Sequence, residues 1–128
     1  MDRRLFLISA AGAVLGGAPA IADALRKDVF ILGIMARDCD VCREWNAYER
    51  ATLERLCREA RVRFREVEVT RFSDIREAAA WPADLKPVLA KIAYSDGTPR
   101  FLVVHDGKII QHTVGLTQYR SGILPMFV

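Results

Sequence analysis

The chain lacks several features that would assign it to common functional classes. It has only three cysteines among 128 residues, too few for a scaffold held together by disulfides. Its formal net charge is only +3, and no run of Lys or Arg is interleaved with aromatic residues, so we expect no nucleic-acid partner. With 52% hydrophobic residues, the chain has enough apolar content to fold, and its length suits a single domain.

The first 22 residues have the pattern of an export signal. Arginines at positions 3 and 4 precede a weakly apolar stretch over 5–17. Ala20-Ile21-Ala22 then fits a cleavage site, with Ala18-Pro19-Ala20 as a second possibility. The start R-R-L-F-L also resembles the twin-arginine export signal. We therefore expect removal of residues 1–22 and a periplasmic domain over residues 23–128. The alternative is an N-terminal helix that packs on the domain or stays as an anchor.

The apolar stretch of this signal is short for a bilayer span. We therefore expect no stable membrane insertion of the mature chain. Export would place the three cysteines in an oxidising compartment, where disulfides persist and enzymes that exchange them are needed.

The first half of the domain has a strand–helix–strand pattern. The continuous apolar run 29–36 predicts a central strand buried on both faces. A helix is expected from the polar turn 37–40 to about residue 60, and a β-rich segment covers 62–69. The phase of that segment slips at Glu66, which predicts a bulge or a passage from half-exposed to buried surroundings. The apolar stripe predicted for the helix comprises Val41, Trp45, Tyr48, Thr52 and Leu56.

The second half has helical material followed by a hairpin. A short helix over 74–80, capped by Ser73, should end at Trp81-Pro82. A second helix is expected over 84–94. Residues 101–104 and 108–114 read as strands joined by the turn Asp106-Gly107, and a last helix is expected over 118–124. The side predicted to be apolar in the second helix carries Leu85, Val88, Leu89 and Ile92.

Cys39 and Cys42 are the strongest chemical signal in the chain. They lie in a C-x-x-C motif where the buried strand turns into the helix. A helix N-terminus stabilises the thiolate, which is the nucleophile of thiol–disulfide exchange. We expect the more exposed Cys39 to attack a substrate disulfide and Cys42 to resolve the mixed disulfide.

At these residues the chain resembles the thioredoxin family. The segment Gly97-Thr98-Pro99 before the third strand looks like the family's cis-proline segment, and the spacing of eight residues from Pro99 to Gly107 and again to Gly115 matches. The resemblance covers roughly residues 28–124. It implies a thioredoxin-like α/β fold, a central mixed sheet flanked by helices, with βαβ and then ββα units around a helical insert. It further implies that Pro99 is cis, that it lies against Cys39, and that Thr98 offers its backbone to the substrate.

The chain departs from thioredoxin around the motif. Asp40 and Val41 stand where thioredoxin has Gly-Pro, and Asp38 stands where it has tryptophan. A carboxylate beside Cys39 disfavours its thiolate, although Arg37 and Arg43 could offset this effect. We treat Arg37, Asp38, Asp40 and Val41 as residues that tune the site, and the two aspartates favour a reductant.

The family's buried acid, six residues before the first cysteine, is replaced by Gly33. Proton transfer to Cys42 must therefore use another group. The candidates from the sequence are water, Asp38 and Glu44.

A narrower resemblance involves Trp45. The pattern C-x-x-C-x-x-W is similar to that of small periplasmic thioredoxins associated with bacterial sulfur oxidation, which are proposed to keep a partner's carrier cysteine reduced. Trp45 is expected in the core beneath the active-site turn, or else on the substrate surface. The implied partners are a protein thiol or disulfide substrate and a membrane-bound electron relay. No cofactor beyond the Cys39–Cys42 disulfide is needed, and we expect a monomer.

Other functions remain open from the sequence. The motif could belong to a non-enzymatic binding module, with an inert or metal-holding C-x-x-C, or to a disulfide oxidase or isomerase. Cys57 lies about 22 Å along the helix from Cys42 and could not complete a metal site, so a buried core thiol is expected there. His105 and His112 are expected to be ordinary strand residues. Trp81 either anchors the helical insert or contacts a partner.

Overall fold

A computed structural model of the chain describes residues 29–92 and 97–127, so the predicted export signal lies outside the described residues. Within this part, the strands are β1 (Val29–Ala36), β2 (Arg63–Val69), β3 (Arg100–His105) and β4 (Lys108–Val114). They form one sheet in the order β2-β1-β3-β4. β1 and β2 are parallel, and the other neighbouring pairs are antiparallel. β1 therefore has the central position that its continuous apolar run predicts.

The helix after β1 is divided in two. α1 (Asp40–Tyr48) and α2 (Arg50–Ala60) meet at Glu49. Helical hydrogen bonds continue through this residue, because its N–H donates to the Trp45 carbonyl at 2.8 Å and its own carbonyl accepts from Leu53 at 3.1 Å. The predicted helix is thus confirmed in extent, with a break at Glu49.

Of the predicted stripe, only Trp45 is fully buried in α1 and α2. The buried residues are Cys42, Trp45, Leu53 and Cys57. Val41 and Tyr48 are exposed, Tyr48 to 80%, Thr52 is exposed and Leu56 is half-buried. The observed face is offset from the predicted one because Cys42 and Cys57 pack as small apolar side chains, and the predicted stripe did not include them.

β2 contains no bulge. It pairs with β1 in one unbroken register from Phe30–Arg63 to Ala36–Val69, so the bulge predicted at Glu66 is wrong. The passage from half-exposed to buried surroundings is confirmed along the strand. The irregularity of the sheet lies instead between Val103 and Val104, where β3 pairs with β4.

The insert after β2 is built mostly of single turns. Short 3₁₀ turns cover Phe72–Asp74, Ala78–Ala80 and Ala83–Leu85, followed by α3 (Lys86–Leu89). The helix predicted over 74–80 is therefore wrong, and the one predicted over 84–94 is reduced to α3 and its flanking turns. Residues 93–94 lie outside the described part. The predicted apolar side is confirmed, since Leu85, Val88, Leu89 and Ile92 are all buried in one cluster against the sheet.

The C-terminal segment covers the opposite face, together with α1 and α2. The β3–β4 turn has left-handed backbone at Asp106 (φ 53°) and Gly107 (φ 78°), as an Asp-Gly hairpin requires. α4 (Gly115–Gln118) continues as a π turn (Tyr119–Ile123) and a 3₁₀ turn (Leu124–Phe127). The last helix thus begins three residues before the predicted start and continues past Pro125. With helical layers on both faces, the structure confirms the thioredoxin-like α/β architecture.

Candidate active site at the start of helix α1

The two cysteines of the motif form a disulfide at the N-terminus of α1. Their Cα atoms are 5.2 Å apart. Cys39 is the N-cap residue, and its sulfur accepts the backbone N–H of Cys42 at 3.0 Å. Cys39 is half-buried, whereas Cys42 is only 4% exposed. Cys39 is therefore the more accessible sulfur, as predicted, and a free helix N–H points at it.

The segment before β3 lies against this disulfide. The Thr98–Pro99 peptide bond is cis, and the Thr98 carbonyl oxygen is 3.5 Å from the Cys39 sulfur. Pro99 is buried, and its carbonyl accepts the N–H of Gly115 at 2.8 Å. The cis-proline and its position beside Cys39, which the resemblance implied, are thus confirmed.

The charged residues of the active-site turn form ion pairs, with one another or with β2. Asp40 pairs with Arg43, and Arg43 also donates to the Arg37 carbonyl at 2.7 Å. Arg37 pairs with Glu68 at 3.3 Å. Arg43 therefore offsets the carboxylate of Asp40, while the guanidinium of Arg37 is directed to β2.

Two further tuning residues lie at the rim of the site. Asp38 accepts the backbone N–H of Phe72 at 2.9 Å, which ties the active-site turn to the insert. Val41, between the cysteines, is 40% exposed. Asp38 is thus oriented toward the insert, and Val41 presents an apolar side chain beside the disulfide.

Trp45 does not lie on the substrate surface. Its side chain has 0% exposure. The ring centroid lies 5.0 Å from that of Phe101 and 5.8 Å from that of Tyr119, which it meets edge-on. The assignment of Trp45 to substrate binding is therefore wrong, because the aromatic cluster under the motif encloses it; its packing beneath the active-site turn is confirmed.

The same cluster occupies the space beside Gly33. A Cβ atom at this position would lie 3.3 Å from ring atoms of both Phe64 and Phe101. Such contacts are tighter than ordinary van der Waals packing. A side chain with a carboxyl group therefore does not fit at this position without displacement of the aromatic rings.

A pocket of about 420 Å³ lies beside Cys42. It is lined by Met35, Ala36, Arg37, Cys42, Arg43, Asn46, Arg50, Glu66 and Glu68. Neither Asp38 nor Glu44, the two carboxylates named from the sequence, belongs to this lining. The pocket instead places two carboxylates of β2 near the buried cysteine.

Arg50 and Glu66 are not among the site residues predicted from the sequence. In the sequence, the mixed arginines and glutamates between Arg43 and Glu66 predict a solvated, salt-bridged face, and pairs such as Arg55–Glu59 at 3.3 Å agree with that prediction. Arg50 and Glu66, however, form an ion pair in which both side chains are about one-quarter exposed. The phase slip at Glu66 is the signal that could have identified it, because it places a charge on the helix-facing side of β2.

The other residues considered in the sequence analysis lie in the core, in the insert or on the strands. Cys57 is a free thiol with 2% exposure, and burial, assisted by the negative charge of Glu54, raises its pKa to about 12. Trp81 is buried and donates its indole N–H to the Ile75 carbonyl at 2.8 Å, so it anchors the insert. His105 and His112 lie on β3 and β4. Among the described residues, no group of three or more His, Cys, Asp or Glu could hold a metal ion.

Within residues 29–92 and 97–127, no helix has the length and apolar character needed to cross a bilayer. No protein-family model matches the chain, and no curated protein sequence matches it.

Solved structures similar to this chain include three thioredoxins. That of Trypanosoma brucei brucei is 15% identical, with a TM-score of 0.47, over 85% of this chain and 80% of its own. The Aeropyrum pernix thioredoxin is 22% identical, with a TM-score of 0.44, over 76% and 71% of the two chains. Chlamydomonas reinhardtii thioredoxin f2 is 16% identical, with a TM-score of 0.43, over 72% and 73%.

Proposed function

We propose that the chain is a periplasmic thiol–disulfide oxidoreductase that reduces a disulfide or an oxidised cysteine of a partner protein. The observation that carries the proposal is the position of the Cys39 sulfur. It is the half-buried end of a disulfide, it accepts a helix N–H at 3.0 Å, and it lies 3.5 Å from the carbonyl that precedes a cis-proline. An accessible sulfur stabilised by a helix N-terminus suits nucleophilic attack on another disulfide.

The reaction is an exchange of sulfur–sulfur bonds. In the reduced protein the Cys39 thiolate attacks one sulfur of the partner disulfide, and the other partner sulfur leaves as a thiolate. Cys42 then attacks Cys39 of the mixed disulfide. The partner departs with two electrons more than before, and the protein returns to the disulfide form. Cys42 lies close enough for this step, because the two Cα atoms are 5.2 Å apart.

The protein surface beside Cys39 supports docking of an extended backbone. The Thr98 carbonyl lies at the sulfur, and Val41 is 40% exposed next to it. A peptide that approaches Cys39 would meet this polar backbone group and this apolar side chain. The partner is thus a protein with an accessible disulfide, and Thr98 and Pro99 form its backbone contact.

The sequence supports the proposed direction of electron flow and the proposed compartment. Asp38 and Asp40 flank Cys39 and disfavour its thiolate, which favours a reductant, although Arg43 offsets Asp40. The export signal predicted over 1–22 supports a periplasmic location. A reductant there needs a supply of electrons, for which a membrane-bound dithiol relay is suitable. A partner whose carrier cysteine must be kept reduced is the substrate that the similarity to sulfur-oxidation thioredoxins favours.

A redox titration tests the proposal. The protein is equilibrated with graded ratios of reduced and oxidised dithiothreitol or glutathione, and free thiols are counted by alkylation and mass spectrometry. We expect Cys39 and Cys42 to titrate as one two-electron pair below about −200 mV, whereas a value near about −120 mV would indicate an oxidase. Cys39→Ser and Cys42→Ser should each abolish the transition. A folded protein whose pair never cycles would contradict the enzyme and support a binding module.

A further inference from the structure

Release of the partner requires that Cys42 lose its thiol proton, because only a thiolate attacks a disulfide. This requirement rests on the proposed function. Cys42 is 4% exposed, so its sulfur has little contact with bulk water, and burial disfavours its charged form. A nearby group must therefore accept the proton for resolution to be fast.

The pocket beside Cys42 contains the carboxylates that can do this. Its volume of about 420 Å³ accommodates several water molecules. Glu66 and Glu68 contribute to its lining together with Cys42. Asp38 accepts the N–H of Phe72 at 2.9 Å and Asp40 pairs with Arg43, so both are used elsewhere. Glu44 does not line the pocket.

Of the two pocket carboxylates, Glu66 lies deeper. Its side chain is 26% exposed, whereas that of Glu68 is 46% exposed and pairs with Arg37, which is itself 70% exposed. Glu66 is the register neighbour of Gly33. Paired residues of adjacent strands project from the same face of a sheet, so Glu66 extends on the face that Gly33 leaves without a side chain.

Arg50 holds Glu66 in this position. Its guanidinium lies 5.1 Å from the ring centroid of Trp45 and 5.8 Å from that of Phe64, and it pairs with both Glu66 and Glu54. Arg50 therefore fixes the Glu66 carboxylate between α2 and β2, at the wall of the pocket that Cys42 shares.

We propose that Glu66 accepts the Cys42 proton through water in this pocket, and so replaces the acid that Gly33 cannot supply. The Cys42 S–H proton passes to a water molecule, which passes a proton to the Glu66 carboxylate. The Cys42 thiolate attacks Cys39, the Cys39–partner bond breaks, and the Cys39–Cys42 bond forms. The partner sulfur leaves as a thiolate, and the proton on Glu66 returns to solvent or to that thiolate.

A two-phase reaction measures this step directly. Reduced protein is mixed with the chromogenic disulfide dithiobis(nitrobenzoate) in a stopped-flow instrument. Attack by Cys39 releases one coloured thiolate, and resolution by Cys42 releases the second. The variant Cys42→Ser should show the first phase alone, which assigns the second to resolution. The rates are followed from about pH 5 to about pH 10, a range that spans ordinary thiol ionisation.

For Glu66→Gln we expect an unchanged first phase and a second phase slower by about 100-fold near neutral pH, the low end of what a general base contributes. The difference should vanish at the alkaline end, where hydroxide removes the proton. Glu66→Asp should restore part of the rate. Glu54→Gln is the matched control, since Glu54 also pairs with Arg50 but does not line the pocket, and its second phase should match the wild type.

Three results would overturn the proposal: equal second phases for Glu66→Gln and Glu54→Gln, a slow second phase for Glu68→Gln but not for Glu66→Gln, or a defect of Glu66→Gln that persists at alkaline pH. A protein that shows no second phase at any pH even as wild type would contradict the proposed function itself. An altered first phase in Glu66→Gln would indicate general damage to the site and would also count against the proposal.

Discussion

Gly33→Asp would place a carboxyl group on β1, six residues before Cys39. A Cβ atom there would lie 3.0 Å from Met35 Cε and 3.3 Å from ring carbons of Phe64 and Phe101. The methionine can move away, because its side chain is flexible. The two rings are packed within the aromatic cluster that includes Trp45, so they must shift by a few tenths of an ångström.

Gly33→Ala separates the steric part of this change from the effect of charge. Overpacking costs about 1–3 kcal/mol, and the loss of glycine's freedom in the unfolded chain returns about 0.5–1 kcal/mol. We therefore expect Gly33→Ala to lower the free energy of unfolding by about 0–2.5 kcal/mol. Gly33→Asp adds the burial of a polar group, about 1–3 kcal/mol even when it is protonated.

The pH dependence identifies the buried carboxyl group. Burial raises the pKa of such a group above its unfolded value of about 3.9. Below that pH both states are protonated, and the two variants differ least. As the pH rises, only the unfolded state ionises, and Gly33→Asp loses about 1.4 kcal/mol per pH unit relative to Gly33→Ala until its folded pKa is reached.

Urea unfolding of both variants, followed by tryptophan fluorescence from about pH 4 to about pH 8, covers this range. Equal stabilities of Gly33→Asp and Gly33→Ala at every pH would refute the packing that excludes an acid from this position. A Gly33→Asp protein that is more stable than the wild type would refute it as well.

Three further predictions concern Cys57, Trp81 and Asp38. Burial raises the pKa of Cys57 from 9.0 to about 12, so the stability that its neutral thiol contributes is present below pH 9 and is lost as the pH rises toward 12. Cys57→Ala should remove this alkaline loss of the free energy of unfolding, measured by urea unfolding. The prediction is wrong if that free energy falls with pH as steeply in Cys57→Ala as in the wild type. Trp81→Phe should lower the free energy of unfolding by about 1–3 kcal/mol, because the Ile75 carbonyl loses its hydrogen-bond donor. The redox titration of this variant should match that of the wild type. An unchanged unfolding midpoint would contradict the role of the indole as an anchor of the insert. Asp38→Ala should speed hydrogen exchange at the Phe72 amide by up to about tenfold, whereas Asp38→Asn keeps an acceptor and should leave the exchange rate unchanged. Equal exchange rates in the two variants would exclude the hydrogen bond from the Phe72 N–H to the Asp38 side chain.

The sequence was sufficient for the central strand, the motif and the hairpin because each is specified locally. An eight-residue apolar run needs both faces of its strand buried, which a central position in the sheet provides. Asp106-Gly107 suits the left-handed backbone of a two-residue turn. The insert was predicted less well. Over residues 74–80 and 84–92 it consists mostly of single turns, because side chains such as Trp81 and Leu85 pack against the sheet and fix the backbone without a continuous ladder of helical hydrogen bonds.

The sequence by itself determined where the two sulfurs of the disulfide lie. C-x-x-C after a buried strand places Cys39 at a helix N-terminus and Cys42 one turn inside, since that geometry depends only on neighbouring residues. Tertiary structure decided which groups surround them. Glu66 lies 24 residues beyond Cys42 in the chain, and only the parallel pairing of β1 with β2 brings it to the same pocket. The phase slip indicates which face of β2 carries Glu66, but the sequence does not show what Glu66 contacts there, because its neighbours across the sheet and on the covering helix come from distant segments.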